Sequence, residues 1–561
     1  MTGLLLVGLA LAEEPAELAV WHAYRGQERE ALEQLIQAWD AQHPEIVVRP
    51  LMVPSESYTK KLETASPHGN GPDLFLFAQE RVGDWSQTGL VVPLTVDTSP
   101  FHPNTVDALT YQGQLYAVPL AYKCLVLFLN EDLIEVAPTT TDELLEIAAK
   151  ATHGETFGLA YEASSAYANA AWLNGHGGGV FRDGVVDLSQ PGNAEAMAFV
   201  KHLALDSGVV PQEPTGALVT ELFNDGRAAM VINGPWFLGE IEDVDFRVVP
   251  LPTVSSTGLP AAPWLTVEGA FVSAYARHPE LAQELAEFLA TPESARVRAE
   301  LGRQPVATRI ELDDPVLAAF AQQLEHSVPM PTHPDMGATW EPMARAWRRL
   351  LRGDMTPERA LSGAQTEFEI VTRPPPPPAD PRPWLVALGL AVVSLLGFFG
   401  WKLSDAGLRQ EMRGWSFAYG YVAPAAVAMA GLVVLPFVLG AGVSLFSHSG
   451  GEYTFVGMAH YVDIVLARDW SITSPQSFYY TMLVTLLWTG ANVVLHVTIG
   501  VALAMLLREP WVRLRGLFRV LLILPWAIPN YITALIWKGM FHFQFGAING
   551  LLGALGIEPV S

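Results

Sequence analysis

The part of the chain before the proline cluster at 374–378 alternates between apolar runs of strand length and amphipathic helical patterns. Residues 17–24 predict a strand, and residues 28–39 predict a helix because apolar side chains recur at i, i+3, i+4 and i+7. The apolar runs at 46–53 and 73–77 are typical of buried parallel strands. We therefore expect a sheet whose strands are linked by helices.

The same alternation continues further along the chain. Thr140, followed three residues later by Glu143, is a capping box that predicts a helix start, and residues 230–233 predict another strand. A region of ~360 residues exceeds what one hydrophobic core usually supports, so we expect two α/β lobes. Ligands of such lobes bind at the carboxyl ends of the strands, in the cleft.

Four long apolar stretches follow the proline cluster, at 384–401, 417–446, 478–507 and 517–540. Crossing a hydrocarbon core of ~30 Å requires about 20 apolar residues in a helix, so the sequence predicts an all-α transmembrane region. Prolines lie inside these stretches, at Pro424, Pro436, Pro525 and Pro529. Membrane helices tolerate them where neighbouring helices or water satisfy the freed carbonyls. Helices buried in a soluble core are the alternative.

The proline cluster separates the two kinds of sequence. The proline-dominated residues 372–383 predict a polyproline II linker, which at ~3.1 Å per residue spans about 37 Å and acts as a semi-rigid leash. The predicted organisation is a signal peptide at 1–12, a two-lobed domain at 13–372, the linker at 373–383, a transmembrane helix at 384–401, a cytoplasmic loop at 402–416 and a further membrane region at 417–561 with spans near 417–446, 478–507 and 517–540.

The charge is unevenly distributed. The chain has 33 Lys and Arg against 58 Asp and Glu, a net charge of −25. Residues 384–561 contain nine basic and seven acidic residues, so the preceding part carries −27. A domain this acidic repels phosphate and anionic lipid, which excludes nucleic acid as an expected partner.

The loops between the apolar stretches predict the orientation of the chain in a membrane. Basic residues flank the loops after the first and third stretches, at Lys402, Arg409, Arg413, Arg508, Arg513, Arg515 and Arg519. Such loops stay in the cytoplasm, which puts the loop after the second stretch and the N-terminal domain outside. We expect a multi-pass protein of the bacterial inner membrane with its large domain on the periplasmic or extracellular side.

The start of the chain agrees with that orientation. MTGLLLVGLALA is an apolar run ending in small residues, which is typical of a secretory signal, although a basic n-region is missing and a buried strand is the alternative. The chain has a single cysteine, Cys124, which excludes a disulfide framework within the chain and a thiolate metal site.

The segments FAYGYVAPAAVAMAGLVVLPFVLGAGVSLFS, YTFVGMAHYVDIV and YTMLVTLLWTGANVVLHVTIGVALAMLLREPWVRLRGLFRVLLILPWAIPNYITALIWKGMF, then FGAINGLLGALG, make up most of the membrane region. They resemble the first half of binding-protein-dependent sugar ABC permeases of the maltose permease large-subunit type. The resemblance implies a lipid membrane, a second permease subunit and a separate ABC ATPase subunit as partners. The later helices and the EAA-type coupling loop do not occur before Ser561, so we expect a fragment or dependence on another chain. The sequence has no G-x-x-x-x-G-K-[ST] phosphate loop, so ATP hydrolysis is expected to come from the ATPase subunit.

Four blocks of the first part are GPDLFLFAQERVGDWSQTGLVVPL, QGQLYAVPLAYKCLVLFLNEDLI, FNDGRAAMVINGPWFLGEIEDVDFRVVPLP and THPDMGATWEPMARAW. They resemble, in order, the extracellular solute-binding proteins of family 1, which include maltose-binding protein. The resemblance covers nearly all of residues 17–370 and implies a two-lobed α/β periplasmic-binding-protein fold. Together the two resemblances predict a natural fusion of a sugar receptor with part of its permease.

Sugars present apolar C–H faces and a rim of hydroxyls, so their sites combine aromatic platforms with charged or amide groups. The resemblance implies stacking aromatics at Phe77, Tyr167, Trp236 and Trp340, and polar contacts at Arg25, Glu80 and Arg81. Ordinary core positions are the alternative for Trp236 and Phe77, and a solvated surface charge is the alternative for Arg81.

The sequence departs from the maltose-binding pattern at two positions. Lys123 and Ser165 occupy places where the family has acidic sugar ligands, so a cation and a hydroxyl replace two carboxylates. Because a buried unpaired donor costs ~1–3 kcal/mol, maltose itself is not assumed. Another di- or oligosaccharide, or a sugar whose acidic group pairs with Lys123, fits equally well.

The predicted function is carbohydrate uptake by an ABC importer. Substrate closes the two lobes by hinge motion, and the closed form docks on the permease. No catalytic residue, metal or cofactor is expected. The alternatives are a membrane-anchored solute sensor and an outer-face glycosidase, which would need two carboxylates roughly 5–10 Å apart.

Overall fold

The structure consists of two compact units. The computed structural model describes residues 16–449, 452–510, 512–527, 529–542 and 544–556, so the signal predicted at 1–12 lies outside the described residues. One unit contains the residues up to Val371 together with those from Gly539 onward, and the other is Thr372–Lys538.

The strands are short and most of them belong to the first unit. In chain order they are β1 Ala16–His22, β2 Ile46–Met52, β3 Leu74–Ala78, β4 Thr110–Tyr111, β5 Gln114–Leu115, β6 Ala117–Lys123, β7 Val126–Asn130, β8 Phe181–Arg182, β9 Val185–Val186, β10 Met230–Asn233, β11 Phe246–Val249, β12 Trp264–Val272, β13 Val328–Pro329, β14 Phe446–Ser449 and β15 Glu452–Phe455.

The helices connect the strands and then form most of the second unit. In the first part of the chain they are α1 Gly26–Asp40, α2 Ser55–Ala65, α3 Val82–Gln87, α4 Pro103–Ala108, α5 Thr141–Ala151, α6 Ala166–Gly175, α7 Pro191–Lys201, α8 Gly216–Asn224, α9 Pro279–Leu289, α10 Pro292–Glu300, α11 Pro315–Leu324, α12 Met336–Leu351 and α13 Pro357–Val371. They continue as α14 Arg382–Ser404, α15 Ala406–Gly414, α16 Ser416–Met429, α17 Leu435–Val443, α18 Ala459–Val465, α19 Phe478–Arg508, α20 Arg515–Ala527, α21 Asn530–Met540 and α22 Ala547–Ala554.

The first sheet has the strand order β13-β12-β3-β1-β2, and β6 pairs with β12. β1 is parallel to β2 and β3, whereas β12 runs antiparallel to β3 and β6. The predicted strands at 17–24, 46–53 and 73–77 are therefore confirmed. β2 is not buried along its length, because it lies at the sheet edge and only Ile46 and Val48 are fully covered. Pro50 in β2 fits an edge strand, since proline lacks the N–H for a second ladder.

The second sheet is small and antiparallel, with the order β10-β7-β11. The strand predicted at 230–233 is its β10. β6 of the first sheet ends at Lys123 and β7 of the second sheet begins at Val126, so only Cys124 and Leu125 connect the two sheets at this crossing.

The capping box predicted at Thr140 starts helix α5, but one of its two hydrogen bonds differs from the expected pattern. The Thr140 hydroxyl caps α5 by accepting the N–H of Glu143 at 3.2 Å. The Glu143 carboxylate accepts the N–H of Thr139 at 2.7 Å, so the reciprocal bond of the capping box reaches one residue further back than expected. α1 buries Leu32, Leu35, Ile36 and Trp39 as its periodicity predicts.

The second unit contains three helices that are long and apolar enough to cross a membrane, at Arg382–Ser404, Phe417–Val443 and Phe478–Arg508, among the described residues. The second of them includes a π-helical turn at Ala430–Val434, directly before Pro436. Proline cannot donate to the preceding turn, which explains the widened turn there. The fourth predicted stretch is not one helix but two, α20 and α21, with Pro529 between them.

The proline-rich linker contacts the hairpin and loop of its own unit. The N–H of Ala379 donates to the carbonyl of Phe455 in β15 at 2.8 Å, and Arg373 pairs with Asp469 at 2.6 Å. The start of the linker and the residue after its proline run are thus each held by a contact with residues 452–469.

Candidate functional site

A cavity of about 650 Å³ lies near the point where the chain passes from the first sheet to the second. Its wall contains Lys123 at the end of β6 and Trp236 in the short 3-10 helix Pro235–Gly239 that follows β10. Glu28 of α1 and Arg25, the residue directly before that helix, also line the cavity. The cavity therefore combines an aromatic ring with cationic, acidic and amide groups contributed by both sides of the crossing.

A second cavity, of about 740 Å³, shares Trp236 with the first. Its wall includes Tyr167 on α6, Ser165 directly before that helix, and Asn233 at the end of β10. The Ser165 hydroxyl accepts the N–H of Ala168 at 3.3 Å and so caps α6. Ser165, which the resemblance aligns with an acidic sugar ligand of the family, thus has a structural role in addition to lying in the cavity wall.

Three of the predicted aromatic residues are joined into one row by a tryptophan that the sequence reasoning missed. The ring centroids are 6.3 Å apart for Trp236 and Tyr167, 6.2 Å for Tyr167 and Trp264, and 5.3 Å for Trp264 and Trp340. Trp264 is the first residue of β12 and is buried, so its sequence pattern is that of an ordinary core position.

Trp236 is the accessible end of this row. It is 46% exposed, whereas Tyr167 and Trp340 are half-buried. Burial also raises the pKa of the Tyr167 phenol to about 12, so this hydroxyl stays protonated and can donate a hydrogen bond. The row therefore presents an open ring face backed by a rigid aromatic support.

Lys123 is not the unpaired cation that the sequence suggested. Its Nζ lies 2.6 Å from Oε1 of Glu268 in β12. The charge of Glu268 is the main cause that raises the pKa of Lys123 above its usual range, and burial opposes this. Burial alone would raise the pKa of Glu268, but Lys123 and nearby hydrogen-bond donors outweigh it and leave that pKa below its usual value. Both groups are charged at neutral pH, and no acidic sugar is needed to balance Lys123.

Glu28 is the acidic group in the cavity wall itself. Its carboxylate accepts a hydrogen bond from the Gln304 amide at 3.2 Å. Burial, followed by the charge of Glu268, raises the pKa of Glu28. The resemblance gave no signal for Glu28, Glu268 or Gln304, because their importance depends on contacts between distant segments.

The three remaining predicted residues lie elsewhere in the described part of the first unit. Phe77, at the end of β3, stacks on Tyr58 at 5.0 Å and packs against Trp85 at 5.2 Å, as a core aromatic does. Glu80 and Arg81 are exposed in the 3-10 turn Gln79–Arg81, and Arg81 lies 3.4 Å from Asp84. None of the three lines either cavity.

The described residues contain no group of three or more His, Cys, Asp or Glu side chains that could hold a metal ion. The side chains in the two cavity walls can stack on a ligand, donate and accept hydrogen bonds and form ion pairs.

Residues 34–322 match the family of bacterial extracellular solute-binding proteins. The chain is 29% identical over 345 residues to a maltotriose-binding protein of Pyrococcus abyssi, covering 58% of this chain and 75% of that protein. It is 26% identical over 374 residues to a galactooligosaccharide-binding protein of Bacillus subtilis, covering 62% of this chain and 88% of that protein.

A cyclo/maltodextrin-binding protein complexed with maltotetraose is similar in structure. It superposes with a TM-score of 0.59 at 30% identity, covering 64% of this chain and 98% of that one. The two-lobed periplasmic-binding-protein-like α/β fold predicted for the first part of the chain is thereby confirmed.

Two permeases are also similar to the chain. A galactooligosaccharides transport system permease protein of Bacillus subtilis is 36% identical over 107 residues, covering 19% of this chain and 25% of that protein. A trehalose/maltose transport system permease protein of Thermococcus litoralis is 32% identical over 110 residues, covering 20% of this chain and 34% of that protein. The chain thus matches a quarter to a third of the length of these permeases.

Proposed function

Because the chain belongs to the bacterial extracellular solute-binding proteins, we propose that its first unit captures a maltodextrin-like di- or oligosaccharide and delivers it to its own membrane unit. In this proposal the chain is a component of a sugar ABC importer. Its partners are the sugar, a second permease subunit, the lipid membrane and a separate ATPase subunit that hydrolyses ATP. The relatives that bind sugars are binding proteins and not enzymes.

The observation that carries the proposal is the row of rings ending at the exposed Trp236 beside a polar cavity. A pyranose ring places its C–H face on an aromatic face and directs its hydroxyls sideways. Trp236 supplies such a face, and Lys123, Arg25 and Gln304 supply hydrogen-bond donors in the same cavity wall. Tyr167 packs against the Trp236 ring, and Trp264 links Tyr167 to Trp340.

The proposed sugar-binding residues fall into two groups. Arg25, Lys123, Tyr167, Trp236 and Trp340 are proposed to form the site, because the structure gathers them around the two cavities and the aromatic row. Phe77, Glu80 and Arg81 stay candidates on the resemblance alone, since they line neither of the two cavities.

Delivery to a fused permease is the second part of the proposal. Three helices with the length and composition of membrane spans, and two relatives that are permeases, support it. Sugar binding draws the lobes together, and the closed form favours docking on the permease. Attachment of receptor and permease in one chain gives an effective concentration of up to about millimolar, so weak docking contacts suffice.

The test is calorimetric titration of the full chain, in detergent, with maltotriose. We expect saturable binding of maltotriose. Trp236→Ala removes the exposed platform and should weaken binding by about tenfold or more, as for other buried-contact aromatic residues. Trp340→Ala should weaken it less, because its ring acts through Trp264.

The matched control is Tyr275→Ala. Tyr275 is an aromatic residue with 44% of its surface exposed and outside both cavities, so its removal should leave the affinity unchanged. Absence of saturable binding for a panel of malto- and galactooligosaccharides would overturn the proposal. Release of glucose from maltotriose in the same samples would instead favour the glycosidase alternative.

A further inference from the structure

Lys123 and Glu268 occupy the crossing between the two sheets. Lys123 is the last residue of β6, and two residues later the chain enters β7 of the second sheet. Glu268 belongs to β12, whose first residue Trp264 packs in the aromatic row and whose last residues lie in the first sheet. The end of β6 and the start of β12 therefore lie beside the point where the chain passes from the first sheet to the second.

The strand register explains why these two side chains meet. β6 and β12 are antiparallel, with Lys123 opposite Thr266 and Ala121 opposite Glu268. Residues two apart share a face, so Lys123 and Glu268 are diagonal neighbours on the same face. The small side chain of Ala121 leaves the carboxylate of Glu268 open to Lys123, and their polar atoms lie 2.6 Å apart.

The pair is partly shielded from water but Lys123 still reaches the cavity. Lys123 has 30% of its side chain exposed and lines the cavity, whereas Glu268 has 13% exposed and does not. A buried charge is costly without its partner, so removing Glu268 would leave Lys123 in surroundings that disfavour its charge.

Charged and titratable groups from other elements surround the pair. Glu28 of α1 and Tyr167 of α6 act on Lys123, while Tyr24 after β1 and Arg298 of α10 act on Glu268. Arg25 and Arg303 also line the cavity. Of these groups, Glu268 has the largest effect on Lys123, since it is in direct contact and the others act at longer range.

We propose that Glu268 is a positioning residue that keeps Lys123 charged and directed into the cavity, where its ammonium donates a hydrogen bond to a neutral hydroxyl or ring oxygen of the sugar. The inference rests on the proposed function. An ammonium has three donors, and one is used on Glu268, so others are available to the sugar. The charge of Lys123 is already balanced, and the pair therefore favours neutral saccharides.

The experiment measures maltotriose affinity of the full chain in detergent between pH 6 and pH 10. Wild-type affinity should be constant to about pH 9, because Glu268 holds the pKa of Lys123 above its usual range. Glu268→Gln removes the largest cause that raises the pKa of Lys123, so burial, opposed only by the weaker effects of Glu28 and Tyr167, lowers that pKa relative to the wild type. We expect the affinity of this variant to fall several-fold by pH 10 as Lys123 loses its proton, while the wild-type affinity changes less.

Two further variants separate positioning from a merely structural role. Lys123→Arg in the Glu268→Gln background should abolish the alkaline loss, because a guanidinium does not titrate in this range. Glu367→Gln is the matched control. Glu367 forms a similar ion pair with Arg345, with their polar atoms 3.0 Å apart, and neither residue lines the cavity, so this variant should keep the wild-type pH profile. Glu268→Asp, which shortens the carboxylate, should give an intermediate profile and serves as the test if the amide variant folds poorly.

The outcomes distinguish this inference from the proposed function. A Glu268→Gln protein that binds maltotriose with the wild-type affinity and pH profile overturns the inference alone. An alkaline loss that Lys123→Arg does not remove also overturns it. Failure of the wild-type chain to bind any oligosaccharide would overturn both.

Discussion

At the scale of single residues, the buried amide of Gln79 fastens β12 to the end of β3. Its oxygen accepts the N–H of Val267 at 2.6 Å, and its nitrogen donates to the carbonyl of Leu265 at 2.9 Å. Gln79 is fully buried, so these two bonds satisfy backbone groups that water cannot reach. Gln79 thereby holds the strand that carries both Trp264 and Glu268.

Gln79→Met retains the shape of the side chain and removes both hydrogen bonds. We expect the free energy of unfolding to fall by about 2–4 kcal/mol, because two buried backbone groups lose their partners. The measurement is the thermal midpoint of the full chain in detergent, followed by tryptophan fluorescence. Gln283→Met, on the partly exposed side of α9, should shift the midpoint little. Equal midpoints for wild type and Gln79→Met would contradict the assigned role.

The sequence identifies residues of the site where their chemistry is visible without the fold. Trp236, Tyr167 and Trp340 could be assigned by resemblance, and the structure joins them in one row. Glu268 could not, since its contact with Lys123 depends on a register between strands more than 100 residues apart in sequence. Phe77 shows the opposite limit, because an aromatic residue at a strand end fits both a sugar platform and a core position, and here its partly buried ring stacks on Tyr58.

At the scale of elements, the prediction was most accurate where periodicity and local chemistry agreed. α1, β3 and β10 occur where their patterns placed them. The fourth apolar stretch predicts one span because hydropathy is continuous through 517–540. In the structure α20 ends before Pro529 and α21 begins after it. Composition shows that a segment is apolar, but the place where its helix is interrupted depends on the backbone geometry that proline imposes.

A second prediction at this scale concerns the hydrogen bond that holds the linker. The bond from the Ala379 N–H to Phe455 adds the end of the proline-rich segment to the β14–β15 hairpin. Ala379→Pro removes this donor but suits the extended backbone of its neighbours. Loss of a net ~0.5–1.5 kcal/mol should increase the detached population several-fold.

The measurement is the distance distribution between spin labels at Pro377→Cys and Tyr453→Cys. It should be narrow in the otherwise wild-type chain and broad after Ala379→Pro. Asp469→Asn removes only an exposed ion pair and should broaden it less. An unchanged width after Ala379→Pro would show that this hydrogen bond does not hold the linker.

At the scale of the whole molecule, the residues after α21 belong to the same compact unit as the large N-terminal part. Phe545 packs on the ring of Phe157 at 5.9 Å and under the guanidinium of Arg227 at 5.3 Å. The Gln544 side chain accepts the N–H of Gln212 at 2.7 Å. These contacts require residues 544–545 and the large domain to be on the same side of any membrane.

The distribution of basic residues predicts which side that is, because loops rich in Lys and Arg stay in the cytoplasm. The chain is suited to cysteine labelling, since its single cysteine, Cys124, is buried and burial raises its thiol pKa to about 12. We expect Glu284→Cys in the large domain and Ser471→Cys in the loop before α19 to react with a membrane-impermeant maleimide in intact cells. Gln410→Cys, in the short helix α15 after α14, should react only after permeabilisation, and the wild-type chain should not react in either state. Labelling of Gln410→Cys in intact cells together with protection of Glu284→Cys would reverse the orientation and, with it, the role of the large domain as an external sugar receptor.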